Sequence, residues 1–387
     1  MEHTTSASRL GMTIARDKQV VHLTSFRGRI SRLLQDEMSN GVRRSIIIIA
    51  LDGIPFDLAL ACWPQAHLER MSSVFPTTSS AAWMSALTGL RVERHGIPGV
   101  VFAMESANSV LVNLYDYQHE LGGPDEGNIF SDAREAGYAP LALAGDLAVA
   151  PCSWLRRLLA HSVSTRSSQF YAALTRQAEF PRATSIIERL RADIDAVLAL
   201  ATPDCPILCW CFVEVDRYIH LYGYDDHVNS FLKGIENLAI DLVEAGHVVV
   251  AHSDHGLVPN THCTGVESAL RDIARRYALD IGGAGRTRWF YTSVEQEAEI
   301  RDFSAACLAG VANVHSTSDY FTPGSLAAAR AGSVSIQAIG ERFIGDLAYS
   351  HDHGAMSAVE VSVPFAVWDG ARPDVLNRED ADRCWML

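Results

Sequence analysis

The chain has 387 residues, 48% of them hydrophobic and 20% charged, and a formal net charge of −14. That is enough apolar sequence for one large α/β unit or roughly two or three domains. The acidic balance excludes a nucleic-acid polymer as main partner, because phosphate backbones are held by clustered Lys and Arg. A small anionic substrate stays open, since a metal ion or helix dipole can reverse the local field. The cysteines (Cys62, Cys152, Cys205, Cys209, Cys211, Cys263, Cys307 and Cys384) form no C-x-x-C pair and read as buried free thiols of a reducing compartment. No signal-peptide core or apolar run of membrane length is visible, and "SIIIIAL" is too short to span a bilayer. The expectation is a cytoplasmic protein with no membrane partner.

Taken in chain order, residues 1–40 are polar, and "SFRGRISRLLQDEMSNG" predicts an amphipathic arm outside the main core. A core unit is expected over 41–264. It opens with "RSIIIIALDG", a continuous apolar run of the kind that forms a strand buried on both faces. Next comes "VFPTTSSAAWMSALTGLRVERHG", in which Thr77, Thr78, Ser79 and Ser80 crowd behind a proline at the mouth of a helix carrying Trp83, Met84 and Leu87. Hydroxyls there serve either as an N-cap or as a nucleophile beside an anion-attracting helix start; the segment alone leaves both open. Residues from about 103 to 200 are less regular and predict a cap over one edge of the sheet. Helices are predicted over 186–201 and 229–245, with strands in "PILCWCFVEVD" and "GHVVVAHSDHG". In the first of these Cys209 and Cys211 alternate onto one face. Between 265 and 345, "RTRWFYTS", a helical 295–310, "GVANVHST" and "SVSIQAIG" predict a small α+β insertion, and 346–387 returns to the core. Apolar strands alternating with amphipathic helices give the fold class: α/β, a mostly parallel sheet with helices on both faces.

Each strong strand ends in Asp or His. Asp52 closes the first, Asp216 follows the second with His220 four residues on, and Asp254-His255 closes the third. A further residue, His353, arrives late in "SHDHGAMSAVEVSVPFAVW". Ordinary structural readings exist for each: Asp-Gly is a common turn, and Asp216/His220 is a common helix-face pair. Ligand sites of open α/β sheets, however, lie outside the carboxyl ends of strands, so these residues should converge. Asp and His together suit Zn²⁺, or alternatively Mn²⁺, over Ca²⁺. Six such ligands exceed one tetrahedral site, which predicts two ions, a pattern suited to in-line displacement at phosphorus.

The order "IIIIALDG … FPTTSSAAWMSALTGLRVERHGI … EVDRYIHLYG … VVVAHSDHGL … HDHG" resembles the alkaline phosphatase superfamily, and within it the type I phosphodiesterase/nucleotide pyrophosphatase branch. The resemblance covers roughly residues 43–105, 205–260 and 345–368. It implies a nucleophile at Ser79, with Thr78 the alternative if the alignment slips by one. It implies one ion held by Asp52, Ser79, Asp254 and His255, and another by Asp216, His220 and His353. His252, His262 and His351 flank these ligands as possible supports or substitutes. The branch usually has Thr at the nucleophile, and the Asn that often donates to the phosphate three residues later is Ala82 here. The sulfatase signature C-x-P-x-R is missing, since "CWPQA" at Cys62 carries Ala66 where Arg belongs.

The expected activity is two-metal hydrolysis of a small anionic phosphoester, a phosphodiester or nucleotide pyrophosphate, through a phospho-serine. The alternatives are a phosphomonoesterase or phosphomutase on the same scaffold, a metal-independent serine acyl hydrolase, and a non-catalytic metal binder. The acyl hydrolase lacks the G-x-S-x-G elbow. Diesters are favoured over monoesters because the hydroxyl segment and the "SDHG" turn contain no Lys or Arg to take a dianion's extra charge. Arg91, Arg94 and Arg217 are the nearest in sequence.

Overall fold

The computed structural model describes residues 21–39, 41, 43–104, 110–148, 152–165, 183–345 and 347–370. Its centre is an eight-stranded sheet in the order Val21–His22, His67–Ser72, Ser362–Trp368, Val248–Ser253, Ile46–Leu51, Ile207–Val213, Ala139–Leu143 and Val163–Thr165. Every strand runs the same way except Ser362–Trp368, which is antiparallel to both neighbours. The mostly parallel sheet is therefore as expected.

The apolar runs form strands because both faces are covered. Ile46, Ile48 and Ala50 point with Trp210 and Phe212 into one core, while Ile47, Ile49 and Leu51 point with Cys209 and Cys211 into the other. Each fully buried Ile contributes about 1.5–3 kcal/mol, and a slip by one residue would exchange the two faces along the whole strand. The second core is roofed by the helices Ala183–Leu198 and Asp226–Glu244, whose apolar positions recur at helical spacing. The latter helix starts at Asp225, whose carboxylate accepts from the amides of His227 and Val228.

The amino-terminal segment differs from expectation. Within 21–39 it is part of the core: the helix Phe26–Ser39 buries Phe26, Ile30 and Leu34, and Val21–His22 extends the sheet beside His67–Ser72. Three apolar side chains one helical turn apart were enough to dock a helix whose other positions are mostly polar. Of the stretch read as a cap, Ala139–Leu143 and Val163–Thr165 are strands of the main sheet, and Ala183–Leu198 packs beneath it. Among the described strands of this region, Val101–Ala103 and Leu111–Asn113 leave it, joining Asp280–Ala284, Thr287–Tyr291, Val334–Ala338 and Ala312–Ser316 in a six-stranded antiparallel sheet. The helices Thr264–Tyr277 and Glu297–Cys307 pack on that smaller sheet. Cys209 and Cys211 lie 3.5 Å apart in the buried core, whereas Cys205 and Cys307 are exposed, so the expectation of uniformly buried thiols does not hold. Cys384 lies outside the described residues. Among the described residues, no helix is long and apolar enough to cross a membrane.

Candidate active site

The sheet topology explains why residues so distant in sequence meet. Asp52, Asp216 and Asp254-His255 leave three adjacent parallel strands at their carboxyl ends. Ser79 follows His67–Ser72, which points the same way. His353 precedes Ser362–Trp368, and because that strand is reversed, the chain enters it at the same edge.

Two groups of ligating side chains result. Asp52, Asp254 and His255 form one, and Asp216, His220 and His353 the other, each with ligand atoms within 4.8 Å of one another. The two are joined by the His255 and His353 rings, stacked at 3.7 Å and 14°. In the first group His255 Nε2 lies 3.2 Å from Asp254 Oδ2 and 3.6 Å from Asp52 Oδ1. In the second, His220 Nε2 lies 3.1 Å from Asp216 Oδ2.

Backbone carbonyls fix two of the imidazoles. His220 Nδ1–H donates to His351 O and His353 Nδ1–H to Thr77 O, both at 2.7 Å. A carbonyl can only accept, so each ring holds its proton on Nδ1 and presents Nε2, the arrangement a metal-ligating histidine needs. Asp52 is followed by Gly53 at φ 84°, where a Cβ would approach Asp216 Cα to 3.3 Å. Only glycine lets these two loops come so close. The Gly53 amide in turn donates to Asp254 Oδ1 at 3.2 Å.

The electrostatics follow from burial. Asp254 is pushed up to about 7, chiefly by burial and then by Asp216. Asp52 is held well above the usual carboxylate range by burial, Asp254, Asp216 and Glu214. Burial also lifts Asp216, but His220, His353 and His255 outweigh it and hold the carboxyl low. Burial lowers His220, yet Asp216 overrides it and raises the imidazole to about 9. His255 is held well below its ordinary value by burial and by His353. Among the described residues, no Lys or Arg pairs with Asp52, Asp216 or Asp254. Asp216 Oδ1, Asp254 Oδ2 and His255 Nδ1 are buried without a hydrogen-bond partner. Such carboxylates are costly to bury together, and this donor set fits two divalent cations.

Ser79 opens the helix Ser79–Thr88. Its Oγ lies 3.1 Å from His255 Nε2 and donates to Asp52 Oδ1 at 3.3 Å. Thr78 occupies the N-cap position but its side chain caps nothing; its Oγ1 faces Ser80 Oγ at 3.3 Å. The Thr77 hydroxyl donates to Ala355 O and accepts from the Gly354 amide, tying the hydroxyl loop to the His353 loop. The four hydroxyls thus divide their work, and Ser79 alone faces the ligand groups.

The flanking histidines lie elsewhere. His252 is buried on the opposite side of its strand, stacked on Phe26 at 3.7 Å and lowered by burial to about 3. His262 is held by Gly345 O and lies 3.6 Å from Glu267. His351 contributes its carbonyl to His220, and none of the three belongs to either ligand group. Ala82 is fully buried in the core, and Arg91, Arg94 and Arg217 are exposed.

Sequence reasoning passed over three tyrosines. Tyr349 stacks on His220 at 4.2 Å. Tyr115 packs edge-on to Trp154 at 5.6 Å, and Trp154 Nε1–H donates to Ser80 O, next to Ser79. Tyr224 bonds both ligand-bearing loops described above. A period or motif marks none of them; the "LYGY" context of Tyr224, directly after His220, was the available signal.

Residues 64–332 match the model of the type I phosphodiesterase / nucleotide pyrophosphatase family. The chain belongs to that family. It is thereby a phosphoester hydrolase of the alkaline phosphatase superfamily by descent and fold. The matched segment contains Ser79, Asp216, His220, Asp254 and His255; the fold brings in Asp52 and His353 from outside it. Direct sequence comparison with curated proteins gives no match. Among solved structures, murine ectonucleotide pyrophosphatase / phosphodiesterase 5 is similar at 14% identity and TM-score 0.56, over 84% of this chain and 88% of its own. An inactive variant of that murine protein in complex with AMP is similar at 14% identity and TM-score 0.56, over 84% of this chain and 87% of its own. Phosphonoacetate hydrolase from Sinorhizobium meliloti 1021 in complex with phosphonoacetate is similar at 19% identity and TM-score 0.61, over 86% of this chain and 91% of its own. At such identities the likeness is one of fold.

Proposed function

We propose that this family member is a two-metal hydrolase of phosphodiester or nucleotide pyrophosphate bonds that works through a phospho-Ser79 intermediate. The observation that carries the reading is Ser79 Oγ, held between Asp52 and His255 at a helix start, with the second ligand group one stacked imidazole away. Asp52, Ser79, Asp254 and His255 would hold one ion; Asp216, His220 and His353 would hold the other. Zn²⁺ suits this mixed nitrogen and oxygen donor set best, with Mn²⁺ the alternative. When bound, such ions lower the pKa of an attacking hydroxyl and offset charge on the phosphoryl oxygens.

Within the protein, Ser79 Oγ would form the new bond to phosphorus as the bond to the leaving oxygen breaks and that group departs as an alcohol or phosphate. Water would later cleave the bond to Ser79, releasing the phosphomonoester and restoring the hydroxyl. In the structure the Ser79 hydroxyl donates to Asp52, which keeps Oγ turned towards the ligand groups. The helix start adds a field favourable to negative charge.

The serine acyl hydrolase alternative conflicts with the geometry. A Ser–His–Asp relay uses opposite ring nitrogens, one towards the serine and one towards the carboxylate. Here Ser79, Asp254 and Asp52 all face His255 Nε2, and Nδ1 has no partner. A ring that turns one nitrogen to all three oxygens cannot relay a proton between serine and carboxylate.

Preference for diesters over monoesters rests on the missing cation: no Lys or Arg pairs with the ligand carboxylates among the described residues. A small nucleotide-bearing phosphodiester or pyrophosphate is the substrate class in keeping with that arrangement, and the inactive variant of the murine structural neighbour is in complex with a nucleotide, AMP. Matched aryl phosphate mono- and diesters, assayed with Zn²⁺- and Mn²⁺-loaded protein, test the reading. The diester should win in kcat/KM. A monoester value tenfold higher, worth about 1.4 kcal/mol of transition-state stabilisation, would establish the phosphomonoesterase alternative.

A further inference from the structure

Tyr224 stands where three segments carrying candidate ligands meet. It lies two residues beyond the helix Asp216–Tyr222, which carries Asp216 and His220. Its hydroxyl donates to Gly53 O at 2.8 Å and accepts from the Leu257 amide at 2.8 Å. Gly53 adjoins Asp52, and Leu257 follows His255 by two residues. One phenol thus uses both donor and acceptor to bridge the loops of the first ligand group, while its own backbone lies just past the Gly223 cap of the helix that carries the second. The Ser253 hydroxyl also ties these two loops, accepting from the Ile54 amide at 2.9 Å and donating to His255 O at 3.1 Å, but the Tyr224 phenol ties them to the chain segment that carries the second ligand group.

The loops need such a tie. Gly53 packs against the Asp216 backbone, and three carboxylates that repel one another converge here. Hydrogen bonds from outside a metal site orient its ligands, and their loss commonly costs about 10- to 100-fold in affinity or activity.

We propose that Tyr224 is a positioning residue that sets the spacing between the two ligand groups, and with it the cooperation of the two ions. The proposal rests on the two-ion reading above. It predicts an effect that lost packing would not produce, because Tyr224→Phe keeps the ring and removes only the two hydrogen bonds.

The test uses the full chain, stripped of metal and titrated with Co²⁺ as a spectroscopic probe. Wild type should take up two equivalents. Tyr224→Phe should bind one of them at least about tenfold more weakly and show a changed visible absorption band. After Zn²⁺ loading, its kcat should fall by at least about tenfold with KM within twofold of wild type. Tyr218→Phe is the control: its hydroxyl bonds Asp225 at 2.7 Å, beside the same helix but away from both loops, so the Co²⁺ spectrum should not change. Wild-type spectrum, affinities and kcat in Tyr224→Phe would overturn the proposal alone, as would an equal spectral change in Tyr218→Phe. Failure of wild type itself to bind Co²⁺ would overturn the two-ion reading and this inference with it.

Discussion

His95 offers a direct test of how burial governs charge in this fold. The residue is fully buried at the end of the short helix Val92–His95. Its Nδ1 accepts from the Ile97 amide at 3.2 Å, so Nε2 carries the proton and donates to Ser85 Oγ at 2.9 Å. Burial, reinforced by Arg157 and Arg330, lowers its pKa to about 3. In the unfolded chain the value returns to about 6.5. The unfolded state therefore binds a proton that the folded state refuses, and stability drains away as pH falls from about 6.5 towards 3. At full separation the slope is about 1.4 kcal/mol per pH unit, or about 2.5 kcal/mol in total between pH 7 and pH 4.5. His95→Gln supplies the comparison, since Gln can still bond Ser85 but does not titrate. Urea unfolding of both proteins in chelator, at intervals from pH 7 to pH 4.5, cancels the other titrations. The variant should be the less stable at pH 7, with the gap closing by about 2.5 kcal/mol on acidification. Parallel stability curves would refute the reasoning.

Further outcomes follow from the site and the core. Ser79→Ala should lower kcat by at least about a thousandfold while leaving the unfolding midpoint near wild type; full turnover in this variant, lost instead in Thr78→Ala, would move the nucleophile by one residue. Protein dialysed after Zn²⁺ loading should retain close to two ions per chain by elemental analysis, and chelation should abolish turnover; full activity in chelator would end the metal-dependent reading. Phe26→Ala should destabilise by about 3–5 kcal/mol in urea unfolding, because the ring is buried against His252 and Phe365. A loss under about 1 kcal/mol would mean that the segment is the detached arm its composition suggests.

The parallel strands and their terminal Asp and His residues were legible because a strand buried on both faces must be continuously apolar. The first polar residue after such a run then lies at the sheet's ligand-binding edge. His353 was a different case. No buried parallel strand precedes it, and only the reversed direction of Ser362–Trp368 explains its arrival. The docked helix Phe26–Ser39 stayed hidden because its partners, His252 and Phe365, lie more than two hundred residues away. The pairing of Val101 with Gly283 was equally invisible: three-residue strands carry too little periodicity to announce a partner. Tyr224 illustrates a further limit. A hydroxyl bonded to two backbone groups leaves no trace in side-chain patterning.

The reversed strand has a bearing on how the molecule comes into being. Ser362–Trp368 is inserted between His67–Ser72 and Val248–Ser253, strands made much earlier on the ribosome. Until it emerges, those two present open hydrogen-bonding edges towards each other, and a gap in the sheet is a hazard for aggregation. The loop that leads into this strand carries His353. Closing the gap and delivering the final histidine are therefore coupled, so a nascent chain that has not sealed its sheet has not gathered the group of Asp216, His220 and His353 either.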